Sequence, residues 1–241
     1  MASSAADLTS RLLRRERRVL VGAILLLAAF SWVFVLGGMG MQSMQPPFWA
    51  LVLMWSVMMV AMMLPSATPA ILLYANVRRS RQHDAEIAQP WVFLAGYVVV
   101  WLGFSLIAAL AQVVLEQPAA ALPGNLSQSA LLLAAGVYQL SPIKSACADQ
   151  CRSPAQFITQ HWRPGVSGAL RLGVLHGLYC VGCCWVLMAL LFVGGTMNLL
   201  WVVALTALVA AEKLLPNGKL VQTVSGVGLM LWGGLRLAGL A

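Results

Sequence analysis

Residues 91–115 read WVFLAGYVVVWLGFSLIAALAQVVL, without one charged side chain. About 20 apolar residues coiled as an α-helix cross the roughly 30 Å hydrocarbon layer of a bilayer. The stretch therefore reads as a transmembrane helix, and it has companions on both sides. Apolar runs also cover Val19–Gly37, Phe48–Val77, Leu126–Ile143, Gly168–Gly195, Leu199–Leu214 and Leu220–Leu240. The expected fold is all-α, a polytopic transmembrane bundle of six to seven helices. The fourth and sixth runs are short, and each suits a tilted, half-buried or re-entrant element as well as a full crossing. A basic N-terminal segment over residues 1–18 and one membrane domain over 19–241 account for the chain.

Composition agrees with that reading. Of the 241 residues, 61% are hydrophobic and 9% charged, against about 45–50% and about 25% in soluble domains. A soluble enzyme, a disordered chain and a secreted disulfide scaffold are excluded. The lipid bilayer is the expected solvent and first partner.

Charge orients the bundle, because cytoplasmic loops collect Lys and Arg. Arg11, Arg14, Arg15, Arg17 and Arg18 precede the first run, which places the N-terminus in the cytoplasm. With seven crossings, Arg78, Arg79, Arg81, Lys144, Arg152, Arg163, Arg171, Lys213 and Lys219 fall on the same side, and Arg236 alone falls opposite. The net charge of +8 is thus a topological bias reinforced by anionic headgroups, and no nucleic acid is expected as a partner. No small-x-small cleavage site follows the first run, which reads as an uncleaved anchor.

Ligand-type side chains inside a membrane point to function, since lipid gives them no other reason to be there. His176, Cys180, Cys183 and Cys184 lie in the fifth run. At about 100° per residue they share a helix face about 100° wide, with Cys180 and Cys184 about 6 Å apart along the axis. Gly173 and Gly177 project near the same arc, where they let another helix approach closely. Cys also packs as a small hydrophobe, but four ligand types on one stripe favour a soft cation. Cys147 and Cys151, just past the fourth run, form an i, i+4 thiol pair if the helix continues, with Lys144 and Arg152 near enough to favour thiolate. Met54, Met58 and Met62 make a stripe in the second run, with Met59 and Met63 alongside, and thioether suits Cu(I). Pro65 and Pro69 interrupt the hydrogen-bond ladder of that run. Met39, Met41 and Met44 cluster in the first outer loop. Ordered along the expected topology, the donors pass from thioether outside to thiolate inside.

Met-Met-Leu-Pro-Ser over 62–66, Tyr138 through Cys151 to Arg152-Ser-Pro, and Cys-Val-Gly-Cys-Cys-Trp over 180–185, followed by Met197-Asn and Glu212-Lys, carry a resemblance. Over roughly Phe48 to Lys219 the chain resembles the bacterial family of predicted metal-binding integral membrane proteins. That resemblance implies a multi-pass protein of the inner membrane with cysteine ligands. Glu212 and Lys213 read as an interfacial pair at the end of the sixth run, and His83 and His161 as solvated loop residues.

Three functions compete. The first is soft-metal binding through Cys180, Cys183, Cys184, His176, Cys147, Cys151, Met54, Met58 and Met62 for copper transport, delivery or homeostasis, with Cu(I) the expected metal, zinc suiting part of the same donor set, and a metallochaperone or membrane complex as partner. The second is a transmembrane thiol–disulfide conduit between Cys180/Cys183 and Cys147/Cys151. The third is a structural metal-binding subunit. Five cysteines are an odd number, which suits a metal site better than a disulfide set. No hydrolase triad, phosphate loop or haem motif occurs, so no catalytic residue is expected.

Overall fold

Unbroken apolar runs satisfy their backbone only by coiling, and the chain does so throughout. The computed structural model describes residues 2–37, 47–81, 89–115, 124–196 and 198–240. The described residues form helices α1 (Ala2–Leu36), α2 (Phe48–Arg81), α3 (Gln89–Leu115), α4 (Gly124–Gln139), α5 (Pro142–Arg152), α6 (Pro154–His161), α7 (Gly165–Ala189), α8 (Leu191–Gly194), α9 (Leu199–Leu214) and α10 (Gly218–Leu237). Among them there is no strand, and the all-α expectation holds. Arg18–Leu36, Phe48–Arg78, Gln89–Leu115 and Gly165–Gly194 are long and apolar enough to cross a membrane. Leu26, Phe30 and Val33 of α1 and Ile107 and Val114 of α3 point outward and exposed, faces that suit lipid rather than water.

The fourth apolar run departs from expectation. Its helix stops at Gln139, and a new one starts at Pro142. Ser141 caps the restart, its Oγ accepting from the Lys144 backbone N–H at 3.2 Å. Proline then sits at the first helical position, where the missing N–H has no partner to lose. Cys147 and Cys151 keep their i, i+4 relation, but on the separate helix α5.

α2 runs on through Pro65 and Pro69. Because Pro65 has no N–H, the Ala61 carbonyl loses its helical donor. Trp32 of α1 replaces it, its indole Nε1–H donating to Ala61 O at 3.2 Å.

Small residues set the closest helix crossing. A Cβ on Gly96 of α3 would stand 2.7 Å from the Leu170 carbonyl oxygen, and one on Gly177 of α7 2.9 Å from the Val100 side chain. A Cβ on Gly173 would collide with the Phe93 carbonyl. α3 and α7 therefore meet backbone to backbone along the face that carries the cysteines, as the two glycines of α7 led us to expect. Gly136 and Gly226 do the same for α4 and α10, a Cβ on Gly136 lying 2.8 Å from the Gly226 oxygen.

Candidate metal site

The stripe on α7 is buried as a unit: His176 is 3% exposed, Cys180 1%, Cys183 2% and Cys184 1%. Five other helices close over it. Tyr97 of α3 places its hydroxyl 3.2 Å from Cys180 Sγ and donates to the Met63 carbonyl at 3.3 Å. Met63 of α2 offers its thioether to the Cys184 thiol at 3.8 Å. Cys151 of α5 stands close enough to Cys180 and Cys183 for their thiols to shift its own. Lys213 of α9 donates from Nζ to Cys180 Sγ at 2.9 Å. His176 sits one turn from Cys180 among the rings of Phe93, Tyr97 and Phe157, at 6.0, 5.8 and 5.2 Å between centroids. Its Nδ1 is buried without a hydrogen-bond partner.

The cysteines of the stripe are free, and two of them are turned toward the backbone. Cys183 and Cys184 donate to the Cys180 carbonyl at 3.1 and 2.9 Å. In this conformation, among the described residues, no three His, Cys, Asp or Glu side chains already converge as a metal cage. Side-chain rotation about Cα–Cβ would be needed to gather them.

The two thiols of α5 differ. Cys147 packs on Gly182 of α7, where a Cβ would come 2.9 Å from its sulfur. Burial, and then its neighbour Cys183, raise the Cys147 thiol above the ordinary cysteine range. Hydrogen bonds to Cys180 and Cys183, and then burial, hold Cys151 well above it. The expectation that Lys144 and Arg152 would favour thiolate here is corrected, because both cations are engaged elsewhere. Lys144 Nζ bonds Glu212 Oε2 at 2.7 Å and also donates to Gln139 Oε1. Arg152 Nε donates to the Glu212 carbonyl at 2.7 Å, and its Nη2 to the Gly218 carbonyl and Gln222 Oε1, both at 3.0 Å.

Glu212 and Lys213, expected at an interface, are both buried, at 3% and 8% exposure. Successive residues on a helix point about 100° apart, and this pair uses the divergence. Glu212 faces Lys144 and Gln139, the latter donating at 2.6 Å, while Lys213 faces the sulfurs. With its adjacent carboxylate engaged by another cation, the Lys213 ammonium is matched against Cys180.

Of the second-run methionines, Met63 is the one whose sulfur meets a thiol. Met54, Met58 and Met62 are buried in the same apolar core. His161 is half-buried rather than solvated, with Nδ1 3.0 Å from the Phe157 carbonyl and its ring beside Tyr179. Met39, Met41, Met44, His83 and Met197 lie outside the described residues. Tyr97 carried no sequence signal, and Met63 was visible only as one of five methionines at adjoining positions.

A donor set of thiols, thioether and imidazole matches Cu(I) better than any hard cation. The comparison with protein families points the same way: residues 52–236 match PpoB2, described as a copper chaperone. The chain belongs to the PpoB2 copper chaperone family. The region matched to PpoB2 spans every side chain of the cluster described above, from Met63 to Lys213. No curated protein and no solved structure matches the chain.

Proposed function

We propose that this protein is a multi-pass membrane copper chaperone that takes Cu(I) onto Cys180 and Cys184, with Cys151 and Cys183 completing a thiolate set and Met63 and His176 as flanking donors. The N-terminus lies in the cytoplasm in this reading, and the short helices α4, α9 and α10 complete the seven passes. One observation carries it: Met63 of α2 and Cys180 and Cys184 of α7 are buried together beside Cys151 of α5, with a cation, Lys213, against Cys180 Sγ at 2.9 Å. Thiolates that share one Cu(I) carry net negative charge, and an ammonium already held at Cys180 offsets it.

Membrane burial fits the task. Buried thiols resist oxidation and bind without competition from water, and rotation of Cys183 and Cys184 away from the Cys180 carbonyl frees them to bind. The closeness of Cys151 to Cys180 also supports thiol–disulfide exchange as a second reading. The two separate cleanly. Protein extracted in detergent and loaded anaerobically with Cu(I) is expected to hold copper stoichiometrically with sulfur in its X-ray absorption shell. Cys180→Ser and Cys184→Ser are expected to lose it. Copper absent from the wild type, together with a trapped Cys151–Cys180 disulfide, would replace the chaperone reading with the redox one.

A further inference from the structure

Beside the thiol cluster, and separated from it by one side chain, lies a cavity of about 900 Å³. Asp149, Gln150 and Arg152 of α5, Lys213 of α9, Asn217 of the α9–α10 junction and Lys219 of α10 line it. A volume of this order suits a small molecule, since ligand pockets run to about 300–1,000 Å³. Three cations face one carboxylate, and that carboxylate is already shared, Asp149 lying 3.1 Å from Lys219. Two buried polar atoms in the wall have no hydrogen-bond partner: Arg152 Nη1 and Gln150 Oε1. The Arg152 Nη1 lies 3.6 Å from the Asp149 carboxylate, too far for a hydrogen bond. An anion would supply the acceptor that the Arg152 donor lacks, and Gln150 Oε1 would accept a hydrogen bond from the same molecule.

Lys213 is common to both spaces. It lines the cavity, and its Nζ holds Cys180 Sγ. An anion arriving in the cavity competes for that ammonium and loosens it from the sulfur.

We propose that this cavity is the docking site for Cu(I) carried as a small anionic thiolate complex, of the class a carboxylate-bearing thiol peptide forms, and that Lys213 couples docking to transfer. The inference rests on the copper reading above. The donor's carboxylates bind Arg152 and Lys219, and Lys213 turns toward them. Cys180 thiolate then forms a Cu–S bond as one Cu–S bond to the donor breaks. The donor sulfur leaves as thiolate, copper stays Cu(I), and no electron is transferred.

The test loads the full-length protein from two donors, Cu(I)–glutathione and Cu(I)–acetonitrile, and reads the ratio of their rates. In Lys219→Glu/Gln156→Glu, changed at the exposed rim, the ratio should fall by about tenfold at low salt and recover part of that loss at high salt, as screening predicts. Lys219→Met should shift it the same way by less. S-methylglutathione, which keeps the carboxylates and lacks the thiol, should slow loading from Cu(I)–glutathione. A ratio unchanged in both variants, or no competition by S-methylglutathione, overturns the docking site while leaving the copper reading in place. Failure of the wild type to take copper from Cu(I)–acetonitrile overturns both.

Discussion

The ammonium of Lys213 lies 2.9 Å from the sulfur of Cys180, across a helix boundary and 33 residues of sequence. Both groups are buried, and each is the other's compensation for leaving water. A buried charge is tolerated when it is paired and expensive when it is not.

Removing that ammonium should therefore weaken copper binding rather than clear the way for it. Lys213→Ala is expected to lower Cu(I) affinity at neutral pH by about tenfold or more, the order set by losing one close charge partner. Lys213→Arg, which keeps the charge, should restore much of the loss. Competition against a chromogenic Cu(I) chelator measures both, and tighter binding by the alanine variant would contradict the proposed role.

The two α5 thiols should behave differently although they are one helical turn apart. Cys151, which reaches Cys180 and Cys183, is expected to be required for full copper retention. Cys147, which packs on Gly182, is not. Serine at each position, followed by copper stoichiometry after dialysis against chelator, distinguishes them. The same assay should separate Met63→Leu, which loses retention, from Met62→Leu, which keeps it.

Cys147 offers a pH readout of its own. Its thiol is raised by burial and by Cys183, and thiolate is the reactive form. At pH 7 it holds less thiolate than an exposed cysteine, so alkylation should be slow. The rate should go on climbing with pH after a free cysteine peptide has levelled off. Peptide-level mass spectrometry over a pH series reads this directly, and alkylation at pH 7 as fast as that of the free peptide would count against it.

How much of this was legible beforehand divides along a physical line. Periodicity fixes what a helix does to its own residues, so the shared face of His176, Cys180, Cys183 and Cys184 and the close approach through Gly173 and Gly177 were readable. Which helix would face them was not. Lys213 is brought to Cys180 by the docking of α9, and nothing local to Glu212-Lys213 announces that the two side chains part company. The methionines show the same limit. Five of them occupy several faces of α2, and only the packing of α2 selects Met63. The break at Ser141-Pro142 was signalled by a capping residue before proline, yet hydropathy runs straight across it. An apolar tally cannot see a cap.

The buried pair Lys144–Glu212, at 2.7 Å, ties α5 to α9 and so holds Cys151 and Lys213 in one frame. Breaking such a pair from one side typically costs about 3–5 kcal/mol. Lys144→Met and Glu212→Gln should each lower the unfolding temperature in detergent. The double variant should lose less than the sum of the two. Strict additivity in that cycle would mean that the charges do not act on each other.

Trp32 carries a different consequence. It belongs to α1, ahead of the first residue of the family match at 52, yet its indole answers the carbonyl that Pro65 leaves open on Ala61. The stretch that defines the kinship therefore leaves out a residue that satisfies its own backbone. In the proposed topology α1 enters the bilayer ahead of α2. Until the two lie side by side, the Ala61 carbonyl of α2 lacks the donor that Trp32 supplies. A segment that looks like a detachable anchor is thus a brace put up before the element it supports.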